Sequence, residues 1–189
     1  MPHYYGQNRE DEWIDKNLPL PEKGFYVDIG CEHPSNHSNT AFLRDRGWKG
    51  LAVDGNRRTA GLWKNIPAFR CAVISSHAIV NFHEDSKTPG WSRISNDGEM
   101  RGAITIEELL EFEQVYKIDF LSVDVEGSEM EVLQSFDFEK HDPSILIVEY
   151  NAAHLPTVQW FDSPIPPFMR SKGYELKQTF GIANMVFAK

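Results

Sequence analysis

Five short, mainly apolar runs recur along this 189-residue chain and restrict its fold more than any other feature. They occupy residues 25–29, 50–54, 69–74, 118–124 and 144–149. Near-continuous apolar runs of this length are typical of parallel strands that are buried on both faces of a sheet. We therefore expect a mostly parallel sheet with helices packed on both sides.

Helical patterns separate these runs and predict a series of βαβ units with right-handed crossovers. The patterns lie at residues 38–46, 58–65, 105–116 and 128–135, with a further one near 166–172. Two of the helices begin with a capping-box pattern, in which the paired side chains would satisfy free amide groups at the helix start. The pairs are Thr105 with Glu108, and Ser128 with Glu131.

Two later segments, at residues 174–177 and 184–187, predict an antiparallel hairpin at one edge of the sheet. The predicted fold class is therefore α/β, with a Rossmann-like, doubly wound sheet that is mostly parallel and ends in this hairpin. We expect a single domain over residues 1–189, in which residues 1–22 form a lead-in segment.

The segment at residues 75–104 interrupts the alternation of strands and helices. It contains Asn96-Asp97-Gly98, a turn signal that is typical of β-hairpins. We expect a hairpin or a mobile excursion over the carboxyl end of the sheet, and a disordered surface loop is the alternative interpretation.

The charge and apolar patterning exclude several classes of protein. The formal net charge is −9, whereas nucleic-acid binders usually carry a clustered basic face. No run approaches the roughly 18 apolar residues that cross a bilayer, and the first residues lack the basic-then-apolar pattern of a signal peptide. We therefore expect a cytoplasmic protein that binds neither nucleic acid nor membrane.

The ends of the first two strands indicate a site for an adenosyl group. Asp28 and Gly30 close the first run, and a helix start at Ser38-Asn39 offers free amide groups to a carboxylate. Asp54 closes the second run, where doubly wound folds place an acid that accepts hydrogen bonds from ribose hydroxyls.

The loop after the first strand argues against a dinucleotide. The Gly-x-Gly-x-x-Gly phosphate fingerprint is missing, because Glu32, His33 and Pro34 follow Cys31. Glu32 would repel a diphosphate, and the close backbone approach that the glycines permit is lost. A ligand without phosphates, such as S-adenosylmethionine, is therefore the better fit than NAD.

Acidic residues gather at the ends of the fourth and fifth strands. Asp124 and Glu126 close the fourth run just before a helix, Glu149 closes the fifth, and Asn151 follows it. Because carboxylates so close together repel each other, such clusters are tolerated more often where a proton or cation is handled. The structural alternative is that Glu126 and Glu129 only complement the dipole of the following helix.

These acids support two catalytic arrangements. In the metal-free arrangement, Asp124 lies near the donor's amino group and Glu126 or Glu149 takes the proton of the methyl acceptor. In the other, the carboxylates and Asn151 bind a hard divalent cation such as Mg²⁺. We favour the metal-free arrangement, because the spacing of the residues fixes no coordination geometry.

Four segments together resemble the FkbM family of methyltransferases. They are Val27-Asp28-Ile29-Gly30-Cys31-Glu32-His33-Pro34 with Ser38-Asn39-Thr40, Arg46-Gly47-Trp48-Lys49-Gly50-Leu51-Ala52-Val53-Asp54, the stretch 118–129, and Ile147-Val148-Glu149. The block Asp124-Val125-Glu126-Gly127-Ser128-Glu129 is the most specific of them. The resemblance covers nearly the whole chain, although Glu32 and Pro34 stand where methyltransferases commonly carry further glycines.

The resemblance implies a class I methyltransferase fold, with S-adenosylmethionine as the methyl donor and a small-molecule or sugar-type acceptor that is methylated on oxygen. It also implies that the third strand lies outermost in its half of the sheet, next to the second. The residues that would bind the donor are Asp28, Gly30, Cys31, Ser38, Asn39, Asp54, Gly55, Val73 and Asp124. The residues that would act in catalysis are Asp124, Glu126 and Glu149.

Other interpretations stay open from the residues alone. A fold relative that binds S-adenosylmethionine or a partner without turnover is one, and a nucleotide-binding oxidoreductase is another, although no Tyr-x-x-x-Lys pair occurs. His33, His37 and His154 are alternative general bases, since histidine titrates near neutral pH. Trp91 and Trp160 lie where a pocket for the methyl acceptor would form.

Overall fold

The computed structural model describes residues 2–66, 68–151 and 156–189. Its strands are β1 Phe25–Ile29, β2 Lys49–Asp54, β3 Phe69–Cys71, β4 Ile79–His83, β5 Arg93–Ile94, β6 Glu99–Gly102, β7 Phe120–Val123, β8 Ile145–Glu149, β9 Glu175–Phe180 and β10 Asn184–Ala188. Its α-helices are α1 Glu10–Asn17, α2 Ala41–Asp45, α3 Ile106–Phe112, α4 Glu129–Ser135, α5 Phe138–His141 and α6 Ile165–Ser171. Among the described residues, no helix is both long and apolar enough to cross a membrane.

Seven strands form one sheet in the order β3-β2-β1-β7-β8-β10-β9. The strands β3, β2, β1, β7 and β8 are parallel, and β10 and β9 are antiparallel to their neighbours. The predicted α/β fold class is confirmed, including the outer position of the third strand and the antiparallel hairpin at the opposite edge. The strand order reverses between β1 and β7, and ligands bind at the carboxyl edge beside such a point.

Alternate residues of each strand enter two apolar layers on opposite faces of the sheet. In β1, Val27 packs into one layer with residues of α3 and α4, whereas Tyr26 packs into the other with residues of α1 and α2. In β8, Leu146 and Ile147 divide between the layers in the same way. This period of two explains why the strands are apolar at almost every position, since both faces are covered.

The helix predicted at residues 58–65 is wrong. That stretch contains only one turn of 3-10 helix, Thr59–Gly61. The Thr59 hydroxyl donates to the carbonyl oxygen of Asn56 at 2.6 Å, and such local side-chain bonds compete with helical ones. The helix predicted at 38–46 is shorter than expected, because the hydroxyl of Ser38 accepts hydrogen bonds from the amides of Thr40 and Ala41 ahead of α2.

One of the two predicted capping boxes is confirmed and the other is wrong. Thr105 and Glu108 accept hydrogen bonds from each other's backbone amides at the start of α3. Ser128 makes no cap with its side chain. Glu131 turns away from Ser128 and binds the hydroxyl of Ser75 at 2.7 Å, so it ties α4 to the segment after β3.

The segment at residues 75–104 forms a small antiparallel sheet in the order β5-β4-β6. The turn Asn96-Asp97-Gly98 connects β5 to β6, but both strands pair with β4, on opposite sides of it. The segment does contain an antiparallel hairpin, formed by β4 and β5, but the predicted turn lies outside it, because Asn96-Asp97-Gly98 joins two strands that do not pair with each other. The nine residues 84–92, which link β4 to β5 and which we call the strap, extend over the carboxyl end of the main sheet.

Candidate active site

The carboxyl ends of three parallel strands open into a cleft of about 570 Å³, which we call the acidic cleft. Asp28 of β1, Asp124 after β7 and Glu149 of β8 contribute to its wall. The cleft also brings together most of the other residues that the sequence predicts, namely Gly30, Cys31, Ser38, Asn39, Glu126 and Asn151. Residues from strands far apart in the sequence therefore meet at one edge of the sheet.

A second, narrow pocket of about 40 Å³ adjoins the cleft, since Gly30, Gly90 and Asp124 line both spaces. Its wall includes the other three residues predicted to bind the donor, Asp54, Gly55 and Val73. Pockets that hold small ligands usually enclose roughly 300–1,000 Å³. The narrow pocket must therefore widen before it can take up a group the size of adenosine.

The loop after β1 is fixed by Asp28 and the residues ahead of α2. The Asp28 carboxylate accepts a 2.6 Å hydrogen bond from the hydroxyl of Thr40. Asp28 is buried, and burial raises the pKa of its carboxyl, while the hydrogen bonds from Thr40 and Ser122 lower it. This contact holds the start of α2 against β1, so that Ser38 and Asn39 reach the cleft.

Gly30 occupies a position that no other residue can take. Its φ angle is +83°, and a Cβ atom there would lie 1.5 Å from the carbonyl oxygen of Asp124. Its amide donates to the carbonyl oxygen of Val53 at 2.8 Å, and the Asp124 amide donates to that of Ile29 at 2.9 Å. The chain thus leaves β1 through the junction of the narrow pocket and the acidic cleft.

Asp54 is held at the end of β2 by two backbone amides. Its carboxylate oxygens accept from the amide of Glu32 at 2.9 Å and from the amide of Asn56 at 2.7 Å. Burial raises the pKa of Asp54 to about 7, against the effect of these two amides. Each carboxylate oxygen has two lone pairs, so the group can still accept from further donors in the narrow pocket.

The strap narrows this pocket, and nothing in the sequence pattern predicts its contacts. The amide of Gly90 donates to the Glu32 carboxylate at 3.1 Å, and the Asn56 side chain donates to the hydroxyl of Ser92 at 2.9 Å. Phe82, in the strand before the strap, packs so close to Gly55 that a Cβ there would lie 2.6 Å from its ring. The strap and Phe82 therefore cover the pocket that contains Asp54.

Asp124, Glu126 and Glu149 converge in the acidic cleft. One carboxylate oxygen of each lies within 4.8 Å of the other two. Burial raises the pKa of Asp124 well above its usual value, and the charges of Glu129 and Glu126 add to this. Burial likewise raises the pKa of Glu149, with the charge of Asp124 as the next cause. The cluster therefore has the electrostatics of a site that retains a proton or attracts a cation.

Glu129 has a different role from these three acids. Its carboxylate accepts from the amide of Val125 at 3.0 Å and from the amide of Gly127 at 2.9 Å. The segment that these bonds stabilise has unusual backbone angles, since φ is +56° at Glu126 and +108° at Gly127. Glu129 thus stabilises the turn that places Glu126 in the cleft. This role goes beyond the alternative suggested by the sequence, in which Glu129 only complements the helix dipole.

The lead-in segment and the last strand complete the cleft, which sequence reasoning did not predict. Gln7 and Asn184 line it. The side-chain amide of Asn184 donates to the carboxylate of Glu10 at 2.8 Å, and Glu10 is fully buried at the start of α1. Residues at opposite ends of the chain are thereby joined, and no local sequence signal marks such a contact.

Some of the histidines and tryptophans that the sequence suggests for the site line the cleft, and others lie elsewhere. His37 and Trp91 line the cleft. The Nδ1 atom of His33 accepts from the amides of Ser35 and Asn36, which gives this side chain a structural role in the loop. Trp160 is exposed, in the turn ahead of α6. His154 lies outside the described residues.

Comparison with known sequences agrees with this architecture. The model of the Methyltransferase FkbM domain matches residues 28–176, from Asp28 in β1 into β9. This chain belongs to the FkbM methyltransferase family. The match includes the carboxyl end of each described strand that contributes an acid to the two cavities of the FkbM domain.

Other comparisons add little to the family assignment. No curated protein matches the chain. Among solved structures, the FkbM domain is similar to one titled "Low resolution structure of WbdD with C-terminal bundle ordered to residue 505", with 12% identity and a TM-score of 0.43. The similarity covers 95% of this chain and 33% of the WbdD chain, so the chain spans about a third of that protein's length. At that level of similarity, WbdD carries no argument about the function of this chain.

Proposed function

We propose that this FkbM domain transfers a methyl group from S-adenosylmethionine to an oxygen of a small-molecule or sugar-type acceptor. The observation that supports this most directly is the junction of the two cavities at Gly30 and Asp124. An adenosyl group in the narrow pocket would extend towards the carboxyl groups of Asp124, Glu126 and Glu149. Donor and acceptor sites would therefore meet at the end of β7.

The residues of the narrow pocket have the chemistry that an adenosyl group requires. Asp54 keeps lone pairs for two ribose hydroxyls, and Gly55 follows it in the wall of the pocket. Val73 and Phe82 supply apolar walls for an adenine ring. The strap must open for entry, because the pocket of about 40 Å³ is far smaller than the ligand.

The acidic cleft offers polar partners for the methionine part of the donor. The cleft, which meets the narrow pocket at Gly30, is also lined by Asp28, Cys31, Ser38 and Asn39. When bound, S-adenosylmethionine supplies a methyl group that its positively charged sulfur has already activated. Acidic side chains around the cleft favour such a positive charge. Asp124 lies in both cavities and would stand nearest the donor's amino group.

The protein's own task in the reaction is to align the acceptor oxygen, exclude water and remove a proton. Glu126 and Glu149 both reach the cleft beside Asp124 and are the candidate bases. Burial raises the pKa of Glu149 far above its usual value, so this carboxyl holds its proton in the free protein. It can act as a base only once a positive charge in the cleft, such as that of the donor's sulfur, favours its ionised form. The acceptor oxygen would gain the methyl group as the bond between that group and the donor's sulfur breaks, which releases S-adenosylhomocysteine. The proton of the acceptor hydroxyl would pass to one of these carboxylates.

The rim of the cleft suits an acceptor rich in hydroxyl groups. Amide side chains of Gln7, Asn36 and Asn39 line it and can both donate and accept hydrogen bonds. Trp91 of the strap is half-exposed there and offers an apolar face. Amides beside an aromatic ring are a fitting surface for a sugar or another polyhydroxylated small molecule.

Labelled-methyl transfer tests the proposal. The chain is incubated with S-adenosylmethionine labelled at the methyl group and with fractionated small-molecule extract, and labelled products are isolated and hydrolysed. Label in an acid-stable methyl ether of a small molecule supports the proposal. Label found only on nitrogen or carbon would contradict the oxygen acceptor, and label in no fraction would favour a relative that binds without turnover.

A further inference from the structure

Two buried oxygen atoms beside the acidic cleft accept no hydrogen bond from the described residues. They are Oε2 of Glu149 and Oδ1 of Asn184, whose residues are only 9% and 6% exposed. The two residues are paired directly across the antiparallel strands β8 and β10, so their side chains leave the same face of the sheet. Buried polar atoms are nearly always satisfied, so this pair calls for a partner that is positively charged or donates a hydrogen bond.

The orientation of the Asn184 side chain is fixed by the lead-in segment. Its Nδ2 atom donates to the carboxylate of Glu10 at 2.8 Å. Glu10 is fully buried and also accepts from the backbone amide and the side chain of Asn8, at 2.8 and 3.0 Å. An ionised carboxylate only accepts hydrogen bonds, so the amide nitrogen must face Glu10 and the oxygen Oδ1 must point away from it. Asn184 lines the acidic cleft, and its Oδ1 atom has no partner among the described residues, so that oxygen is available to a ligand there.

Three carboxylates converge at the same place. Asp124, Glu126 and Glu149 each present an oxygen within 4.8 Å of the other two, and all three line the cleft with Asn184. Carboxylate and amide carbonyl oxygens are hard ligands, the kind that magnesium and calcium prefer. The acid cluster alone would be weak ground for a metal site, but the oriented amide oxygen of Asn184 is an independent feature.

A proton satisfies this arrangement less completely than a cation. One proton bridges two oxygens at most, and a protonated Glu149 would donate to a single neighbour. A hard divalent cation accepts about six oxygen ligands and reduces the repulsion among all three carboxylates at once. The arrangement of four oxygen-bearing side chains therefore favours a cation over a shared proton.

We propose that Asp124, Glu126, Glu149 and Asn184 bind one hard divalent cation of the Mg²⁺ type in the acidic cleft. The three carboxylates and the Oδ1 atom of Asn184 are its protein ligands, and water fills the remaining positions. This proposal replaces the metal-free arrangement that the sequence favours. The reason is the register between β8 and β10, which pairs Asn184 with Glu149 and so adds an amide oxygen to the carboxylates.

One consequence rests on the proposed methyl transfer. A cation with a position open to the cleft can bind the acceptor hydroxyl and make its proton easier to remove. A carboxylate that binds the cation through one oxygen keeps the other to take that proton. Glu10 and Asn8 would then contribute from a distance as positioning residues, because they orient the amide of Asn184.

Manganese binding tests the cation site without any methyl acceptor. The full chain is freed of metals with EDTA and titrated with Mn²⁺ at constant ionic strength, and electron paramagnetic resonance measures the unbound ion. We expect one site from which Mg²⁺ displaces Mn²⁺. Glu149→Gln and Asn184→Leu should each weaken Mn²⁺ binding by about tenfold or more, a scale seen when metal sites lose a supporting residue.

Glu32→Gln is the matched control for the loss of one negative charge. Glu32 lines the same cleft but lies outside the cluster, with its carboxylate bound to the Gly90 amide. Mn²⁺ binding by this variant should equal that of the unaltered chain. Thermal unfolding of each variant shows whether it is folded, and Glu149→Gln keeps the test decisive if Asn184→Leu fails to fold.

Two results would overturn the cation site. The first is an unaltered chain that binds no Mn²⁺, and the second is a folded Glu149→Gln variant that binds it as tightly as the unaltered chain. Calorimetry with S-adenosylhomocysteine on the same preparations tests the donor site separately. If the chain binds S-adenosylhomocysteine but does not bind Mn²⁺, only the cation site is rejected. If it binds Mn²⁺ but does not bind S-adenosylhomocysteine, the proposed function is rejected.

Discussion

The backbone amide of Gly90 donates a hydrogen bond of 3.1 Å to the carboxylate of Glu32 and thereby ties the strap to the loop after β1. A Cβ atom at Gly90 would lie 2.7 Å from a Glu32 carboxylate oxygen, so the two segments are in close contact. Because the strap covers the narrow pocket, this bond joins the closed strap to the loop beneath it.

We expect Glu32→Ala to loosen the strap. Loss of the carboxylate leaves the Gly90 amide without its acceptor, so hydrogen exchange over residues 84–92 should be faster in the donor-free variant. Mass spectrometry of exchanged peptides measures this. Glu139→Ala, which removes an exposed carboxylate on α5, is the control and should leave exchange in the strap unchanged. Equal exchange in Glu32→Ala and the unaltered chain would show that the bond does not hold the strap.

Asp54→Ala should weaken binding of S-adenosylhomocysteine by roughly 1.5–3 kcal/mol, the scale of a hydrogen bond to a charged group. The substitution also frees the amides of Glu32 and Asn56, so some loss of thermal stability is expected. Isothermal calorimetry at a temperature where the variant is folded separates the two effects. Unchanged affinity for S-adenosylhomocysteine in the folded variant would show that Asp54 does not bind the donor.

The affinity for S-adenosylhomocysteine should depend on pH through Asp54. Burial raises the pKa of this carboxyl to about 7 in the free protein. Ribose hydroxyls donate to the ionised carboxylate, so binding lowers its pKa, and affinity should fall as the pH drops below about 7 and level off above it. Asp54→Asn, which cannot titrate, should flatten this part of the profile. A profile of the same shape in Asp54→Asn would assign the titration to another group.

Asp124→Asn and Glu149→Gln should each reduce turnover by roughly 10²-fold or more once an acceptor is identified, the usual scale for loss of a positioned acid or base. Both substitutions keep the shape of the side chain and remove only its ability to ionise. Glu139→Gln, on the exposed side of α5, is the matched control and should keep full turnover. Full turnover in both cleft variants would make the cluster structural.

Much of the sheet is predictable from the sequence because burial on both faces demands unbroken apolar runs. β1 and β8 keep their predicted bounds within a residue, since polar residues appear only where those strands end. The acids at those ends are predictable for the same reason, as a polar side chain after a buried strand emerges at the ligand-binding edge.

The remaining site residues depend on contacts between distant parts of the chain. The register with Glu149 sets the position of Asn184, and the hydrogen bond to Glu10 sets the orientation of its side chain. Neither contact can be recognised from the sequence around Asn184. Glu131 resembles half of a capping box yet binds Ser75, because tertiary packing outweighs the local preference. The 3-10 turn at Thr59–Gly61 likewise follows from a side-chain bond to Asn56 that competes with a helix.

Calorimetric titration of the full chain with S-adenosylhomocysteine and, separately, with NAD tests the central claim most directly. Asp54 lines the narrow pocket, where we propose that it binds the ribose of the donor, and the Glu32 carboxylate in the loop after β1 would repel a diphosphate. We predict that S-adenosylhomocysteine binds at one site and that NAD releases no heat of binding. Binding of NAD without binding of S-adenosylhomocysteine would contradict the account.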